Sequence, residues 1–500
     1  MMESEDDLDS LLRTIVDLNH ACAILEWDQE TYIPDGAHES RASQLASLRA
    51  VAHAYATSER FANALNRAEE STDPSDDRRT RLLRVARRDY TKATALSTDL
   101  VSRLALAEAR SKDAWRRARE NDDFDSFAPH LNLLIELNRE KADALGHDGE
   151  RYDALLDQFE EGLVTSTVDG VFGPLRDELV PMIQAIDDAS QLDDSVIRGD
   201  FDEAKQWALS KEIAAAVGYD FQRGRLDKSA HPFSTAFSIF DVRITTRVDR
   251  HFFSPAFYGT LHEVGHALYE QGIDPSLDGT PLADGTSLGM HESQSRLWEN
   301  LVGRSLPFAT WLMPTLQRHF AGTFDGVDPE RFYRAANRVE PSLIRVEADE
   351  VTYNLHIMIR FELEKALIAG DLSIEDLPEA WNEMYERYLG IRPESNADGV
   401  LQDIHWAMGA FGYFPTYTLG NIMSAQIFDA AKADLPELET NIRSGNFEPL
   451  LTWLRSTIHR YGRSRTATEI LEEVTGVGIR SSNWLDYIRR KYGELYSTSL

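Results

Sequence analysis

Residues 262–266 have the spacing most indicative of chemistry, because two histidines stand four apart with a glutamate directly after the first. On an α-helix, residues four apart share a face, so His262 and His266 can direct two imidazoles at one divalent ion. Glu263 lies one residue round and can reach a water molecule beside that ion without binding it. This H-E-x-x-H arrangement is typical of zinc peptidases. The alternative is two ordinary helical histidines beside a solvated glutamate.

The flanking residues predict the helix that this spacing needs. Ser254 can cap its first turn, and Pro255 suits the first helical position, where its missing N–H costs nothing. Gly272 is a plausible end. We therefore expect a helix over residues 254–272.

A peptidase zinc also needs a third protein ligand and one open position. Glu292 is our choice, because it opens a second predicted helix thirty residues after His262. His291 is the rival, and two adjacent helical residues rarely both reach one ion. His291 would then support the site or contact substrate. Asp349 and Glu350 are candidate partners for the remaining histidine nitrogens, and a surface role is the alternative for both.

These residues predict hydrolysis of a peptide bond. A divalent metal polarises the scissile carbonyl and lowers the pKa of its water. Glu263 would take the water proton as general base and pass it to the leaving amine. A donor other than the metal would then face the oxyanion.

The charge balance excludes some partners. The net charge is −32, and nine lysines accompany 43 arginines. Nucleic-acid binding needs a basic surface, so we expect no nucleic-acid partner. Acidic excess with little lysine also favours adaptation to high salt, where ions screen carboxylate repulsion. An ordinary acidic protein is the alternative.

Several features predict a cytoplasmic protein. The single cysteine, Cys22, excludes an intrachain disulfide. The chain has no run of eighteen apolar residues, so we expect no membrane span. The acidic stretch Met1–Asp7 lacks the apolar region of a secretory signal.

Helical periodicity dominates the chain and predicts a mostly α fold. In residues 238–248, apolar residues at 240, 242, 244 and 248 alternate with polar ones and predict a strand. We therefore expect a small β-sheet beside the active-site groove, with an edge that an extended peptide could pair with. We interpret residues 1–500 as one domain, with a helical part at 1–110 covering the groove and a catalytic core at 220–420.

Six ordered motifs, together with Trp27–Tyr32, run the length of the chain. With them the chain resembles the carboxypeptidase Taq family of metallocarboxypeptidases, which are H-E-x-x-H zinc peptidases. The motifs are His231-Pro232-Phe233, Asp241–Thr245, His262–His266, His291–Gln294, Ile344–Asp349 and Gly399–Trp406.

The resemblance implies a large helical, saddle-shaped fold of the neurolysin and angiotensin-converting-enzyme type. It implies removal of single C-terminal amino acids from peptides, with broad specificity and poor release of proline. It also implies a homodimer and a divalent metal, usually zinc with cobalt able to substitute, for which Glu292 is the third ligand. An endopeptidase or dipeptidyl carboxypeptidase on the same fold is the first alternative. A catalytically silent binding protein is the second.

An exopeptidase of this kind must hold a free C-terminal carboxylate, and an arginine fork does this well. Arg345 lies in one of the motifs and is our candidate; a structural ion pair with a neighbour such as Glu347 is the alternative. His405 could donate to the oxyanion, or could simply pack beside Trp406.

Four further predictions concern the substrate groove. Tyr413 and Tyr417 could each offer a phenol to the carbonyl oxygen or the substrate, and a hydrophobic turn is the alternative for both. His231 and Arg243 are expected to line the groove near the sheet.

Overall fold

A computed structural model describes residues 7–500. Residues 1–6, which make up nearly all of the acidic N-terminal stretch, lie outside the described residues. No helix within 7–500 combines the length and apolar character needed to cross a bilayer. Within this range the α-helices are α1 Leu8–Thr31, α2 His38–Ala56, α3 Glu59–Ser71, α4 Asp77–Ala95, α5 Thr98–Asn121, α6 Phe124–Leu145, α7 Arg151–Leu156, α8 Thr165–Asp187, α9 Glu203–Ala216, α10 Ser254–Gln271, α11 Leu288–Arg296, α12 Leu306–His319, α13 Pro329–Ala336, α14 Tyr353–Ala369, α15 Leu377–Leu389, α16 Pro415–Asp434, α17 Leu438–Ser444, α18 Glu448–Thr457, α19 Ala467–Thr475 and α20 Ser482–Tyr496.

The described chain forms two compact units, each assembled from three separate segments. The first contains the described part of residues 1–94 together with 194–336 and 427–478. The second contains residues 95–193, 337–426 and 479–500. The predicted N-terminal part at 1–110 and the predicted core at 220–420 stay predictions.

A small sheet in the first unit has the strand order β1-β3-β2. The strands are β1 Leu226–Lys228, β2 Ser234–Ser238 and β3 Asp241–Thr246. The central strand β3 runs parallel to β1 and antiparallel to β2. It packs beside α10, and Val242 and Ile244 are fully buried. The prediction of a mostly helical fold with a small sheet is confirmed.

The predicted strand was too long at both ends. Ser238 pairs with Asp241 across a tight connection, so Phe240 lies in the turn and is 49% exposed. Val248 follows the end of β3. Alternation of apolar residues continued past the strand, which is why the pattern overestimated it.

Helix α10 begins one residue earlier than the capping prediction required. Phe253 occupies the cap position and Ser254 is the first helical residue, so the predicted Ser254 cap is wrong. Phe253 is buried against other phenylalanine rings, including Phe201 and Phe257. Packing of this ring, rather than a capping hydrogen bond, therefore sets the start of the helix. Gly272 follows the last helical residue as predicted.

Helices α10 and α11 approach each other at Gly265. A Cβ atom placed there would lie 2.5 Å from the Cα atom of Ser295 and 2.7 Å from the carbonyl oxygen of Gln294. Both of these are backbone atoms, which cannot move aside as a side chain can. The absence of a side chain at residue 265 therefore permits this separation of the two helices.

We expect Gly265→Ala to destabilise the protein by about 1–3 kcal/mol, because the added methyl group overpacks a backbone contact. Gly259→Ala on the same helix is the matched control. Its Cβ atom would lie 4.0 Å from the nearest atom, Thr246 Oγ1, so the better helix propensity of alanine should stabilise by about 0.5–1 kcal/mol. Urea denaturation measures both changes. Equal effects of the two substitutions would contradict this account of Gly265.

A fully buried carboxylate, Glu364, organises part of the second unit. It accepts hydrogen bonds from Trp406 Nε1 at 2.8 Å, the Tyr152 hydroxyl at 2.6 Å and the backbone N–H of Gly412 at 2.9 Å. Gly412 has a φ of +88°, and a Cβ atom there would lie 2.8 Å from the carbonyl carbon of Leu155. Glycine is therefore required at the point where Glu364 holds this loop.

Burial raises the pKa of Glu364 from 4.5 to about 7. Between these values the folded chain keeps a proton that the unfolded chain has released, so this group makes the free energy of unfolding fall as pH rises. Glu364→Gln removes the titration. Urea denaturation at roughly pH 5 and roughly pH 8 should show the wild type losing about 2–3 kcal/mol more than the variant. Parallel losses in both proteins would contradict the prediction.

Candidate metal centre

Three side chains from α10 and α11 converge in the first unit. His262 Nε2 lies 3.2 Å from His266 Nε2. Glu292 Oε2 lies 3.7 Å from the first of these nitrogens and 3.5 Å from the second. The helical spacing of the histidines and the close helix contact at Gly265 together produce this grouping.

The chemistry of the three atoms fits a divalent metal. Ligand atoms about 2.0–2.2 Å from one zinc ion must lie within roughly 4 Å of each other, and all three separations meet this limit. Two imidazole nitrogens and a carboxylate oxygen form a common catalytic set that leaves a coordination position open. The residues present therefore fit the metal that the motifs predict.

The second nitrogen of His262 faces a carboxylate. His262 Nδ1 lies 3.0 Å from Glu299 Oε2, and Arg296 donates to that same oxygen at 3.1 Å. Arg296 also donates to Glu292 Oε1 at 2.6 Å. Burial is the largest single influence and would raise the pKa of Glu299, but Arg296, His262 and Arg304 together outweigh it, and the pKa is lowered. Glu299 is therefore an ionised acceptor that orients His262.

This arrangement corrects the prediction that Asp349 or Glu350 would accept from the metal-site histidines. Both carboxylates bond within the second unit. Asp349 accepts from Thr352, and Glu350 accepts from Lys491 and Tyr492.

The second nitrogen of His266 faces another histidine. His266 Nδ1 and His291 Nδ1 are 2.6 Å apart, and His291 Nε2 lies 2.7 Å from Glu270 Oε1. The backbone N–H of Gly285 donates to the same Glu270 oxygen at 3.1 Å. His291 thus contacts a candidate ligand, His266, rather than joining the ligand group with Glu292.

Glu263 is buried beside the ligands, with 6% of its surface exposed. Burial is the largest influence on its pKa; His262 opposes it and the Glu292 carboxylate adds to it, and the result is a pKa raised to about 7. A carboxyl group with a pKa near neutrality can both accept and release a proton, as a general base requires.

Three residues of this site, Glu270, Arg296 and Glu299, were not among the predicted site residues. A signal for all three was present in the helical spacing. Arg296 and Glu299 follow Glu292 by four and seven residues, so they lie on one helical face with it. Glu270 likewise follows His266 by four residues on α10.

In the second unit, Arg345 is buried and forms an ion pair with Asp403. Its Nε and Nη2 atoms donate to Asp403 Oδ1 at 3.0 Å and 2.7 Å, and Nη1 donates to the Tyr353 hydroxyl at 3.0 Å. Arg360 holds the other oxygen of Asp403 at 2.7 Å. Arg345 therefore forms a structural ion pair, which was the alternative prediction for it, and its partner is Asp403.

His405, Tyr413 and Tyr417 form a cluster in the same unit. His405 Nε2 lies 3.3 Å from the Tyr417 hydroxyl, and the rings of His405 and Tyr413 are 5.3 Å apart. The Arg345 guanidinium lies 5.2 Å from the Tyr417 ring. The structure thus groups four of the predicted substrate-binding residues. Burial lowers the pKa of His405 to about 3, so its imidazole is neutral.

The remaining two predicted groove residues belong to the first unit. His231 is exposed, and its carbonyl accepts a hydrogen bond from Ser229. Arg243 pairs with Asp241 and stacks on the rings of Trp27 and Phe237 at 4.4 Å and 4.8 Å. Arg243 therefore joins helix α1 to the sheet.

Comparisons with known proteins agree with these motifs. The family model described as carboxypeptidase Taq (M32) metallopeptidase matches residues 7–492. Thermostable carboxypeptidase 1 of Thermus thermophilus is 45% identical, with 95% of each chain covered. Carboxypeptidase 1 of Bacillus subtilis is 38% identical, with 98% of each chain covered. The crystal structure of the M32 carboxypeptidase from Deinococcus radiodurans R1 superposes with a TM-score of 0.96 at 41% identity, covering 98% of this chain and 99% of that one.

A family match over nearly the whole chain and relatives above 30% identity confirm the resemblance that the motifs indicated. The chain belongs to the carboxypeptidase Taq (M32) family and is a metallocarboxypeptidase.

Proposed function

We propose that this enzyme removes single C-terminal amino acids from peptides with broad specificity and releases proline poorly. The observation that carries the proposal is the grouping of His262 Nε2, His266 Nε2 and Glu292 Oε2 within 3.7 Å, with Glu263 buried beside them. Zinc is the proposed metal, and cobalt should substitute for it. A homodimer, a cytoplasmic location and the absence of a nucleic-acid partner are further parts of the proposal.

The proposed chemistry assigns proton movement to Glu263. The metal, when bound by His262, His266 and Glu292, supplies a Lewis acid and lowers the pKa of water. Glu263 accepts a proton from the attacking water on its carboxylate and delivers it to the nitrogen of the leaving amino acid.

We propose that Arg345 binds the C-terminal carboxylate of the substrate. One N–H of Arg345 Nη2 is donated to Asp403, and one N–H of Nη1 is donated to the Tyr353 hydroxyl. Each terminal guanidinium nitrogen carries two N–H groups, so one on each is available for a carboxylate. Asp403 also fixes the plane of the guanidinium. His405, Tyr413 and Tyr417 are proposed to contact the substrate, one of them facing the oxyanion, and His231 and Arg243 to line the groove.

A pair of peptides tests the exopeptidase assignment. An N-blocked peptide with a free C-terminus should lose one residue at a time, and its C-amidated twin should react about 10- to 100-fold more slowly, because it lacks the charge that Arg345 would bind. Mass spectrometry of the products measures this. Equal cleavage of the amidated peptide would indicate an endopeptidase, and release of dipeptides would indicate a dipeptidyl carboxypeptidase.

Glu263→Gln tests the general base. We expect kcat to fall by about 10²- to 10⁴-fold while metal content is retained, because the amide cannot accept the water proton. His266→Ala is the control and should lose both metal and turnover. Elemental analysis and peptide hydrolysis measure the two properties. Substantial turnover by Glu263→Gln would exclude Glu263 as the base.

We also propose that the charge of −32 reflects adaptation to high salt. Reducing salt from molar to roughly 10 mM lengthens the Debye length from about 3 Å to about 30 Å, so carboxylate repulsion should unfold the protein. Circular dichroism and activity follow the transition. Sucrose, which promotes burial without screening charge, should not replace salt. A protein indifferent to this dialysis would contradict the proposal.

A further inference from the structure

We infer that His291 and Glu270 are positioning residues that fix the proton of His266 on Nδ1 and so keep Nε2 available as a metal ligand. The inference rests on the proposed metal site and extends it to two residues outside the ligand group. The observation behind it is the chain of contacts from His266 through His291 to Glu270, with separations of 2.6 Å and 2.7 Å.

When His266 binds metal through Nε2, one assignment of donors and acceptors satisfies this series of contacts. A neutral imidazole that binds metal through Nε2 carries its proton on Nδ1. His266 Nδ1–H must then donate, so the facing nitrogen, His291 Nδ1, must accept. His291 consequently carries its proton on Nε2 and donates it to the Glu270 carboxylate. Glu270 is an acceptor on this assignment, which agrees with its second contact, to the N–H of Gly285.

The surroundings hold this chain rigid. Glu270 is 4% exposed, and the ring of Tyr269 packs 5.1 Å from that of His291. A Cβ atom at Gly285 would lie 2.4 Å from His291 Cδ2, so the loop backbone closes directly over the imidazole. His291 therefore has little freedom to turn its imidazole ring away from His266.

The two candidate histidine ligands differ in this respect. His262 donates to a carboxylate, Glu299, that two arginines hold. His266 Nδ1 faces an imidazole instead, that of His291, whose own second nitrogen contacts the Glu270 carboxylate. A metal ligand whose orienting partner is removed commonly loses about 10- to 100-fold in affinity. Metal binding by His266 should therefore weaken when His291 is replaced, and also when Glu270, the next residue in the series of contacts, is replaced.

Metal affinity, measured by competition of Zn²⁺ with a chromophoric chelator, tests the inference. His291→Phe keeps a ring of similar size but removes the acceptor, and should weaken Zn²⁺ binding by about 10- to 100-fold. His291→Asn places an amide oxygen near the former Nδ1 and should recover part of the loss. The visible spectrum of the Co²⁺-loaded protein should change in His291→Phe, because the orientation of His266 changes.

A double-mutant cycle separates a relay from two independent effects. Glu270→Leu should weaken Zn²⁺ binding in the wild type but have little further effect in His291→Phe, since Glu270 acts only through His291. His356→Phe removes a fully buried histidine of the second unit that bonds Tyr385, and serves as a control for general loss of stability. It should leave Zn²⁺ affinity unchanged.

The outcomes distinguish this inference from the proposed metal site. If His266→Ala retains metal, the ligand assignment itself fails. If His266→Ala loses metal while His291→Phe binds Zn²⁺ as tightly as the wild type, the ligands stand and the positioning role is overturned. Equal effects of Glu270→Leu in both backgrounds would also overturn it. Circular dichroism establishes that each variant is folded before its affinity is compared.

Discussion

The contact between helices α10 and α11 at Gly265 is the constraint on which the candidate metal centre depends. Two of the proposed ligands lie on α10 and the third lies on α11. Helical spacing alone places His262 and His266 together, but it cannot supply a third ligand from the same helix. The short interhelical distance brings Glu292 within 3.7 Å of both histidines. The close backbone contact that glycine permits at residue 265 therefore brings side chains of two helices together as one group of candidate metal ligands.

The charges around this group are balanced by paired side chains. Glu292 and Glu299 both lie against Arg296, and Arg304 contacts the second oxygen of Glu299. Buried carboxylates are costly unless they are paired and hydrogen-bonded. The second unit uses the same device, because Arg345 and Arg360 share Asp403. In both places the pairing fixes the plane of a side chain that the proposed reaction needs.

Local patterns in the sequence predicted much of this arrangement. The period of apolar residues predicted a mostly helical fold, and the spacing of His262, His266 and Glu292 predicted the group that the structure brings together. The helical fold and the pairing of His262 with His266 were predicted because helix geometry converts sequence separation directly into spatial proximity. Glu292 lies on another helix, and it was chosen because two imidazoles and a carboxylate form a common set of metal ligands. The start of α10 was misplaced because burial of Phe253, a tertiary effect, overrides capping preference.

Partners from distant segments could not be predicted in this way. Asp403 follows Arg345 by 58 residues, and no periodicity relates them. The same limit explains why Asp349 and Glu350 were chosen wrongly: they stood near a motif in sequence but bond elsewhere in three dimensions. Glu270 and Glu299 could have been predicted, since each follows a site residue at helical spacing. Listing the residues on the same helix face as His266 and Glu292 would have identified them.

Anomalous X-ray diffraction at the zinc edge, from crystals of the metal-loaded protein, is the most direct measurement of the central claim. The account predicts one zinc peak per chain, about 2.0–2.2 Å from His262 Nε2, His266 Nε2 and Glu292 Oε2. His291 should not contact the ion. A peak coordinated by His291 in place of Glu292, or a peak away from α10 and α11, would contradict it.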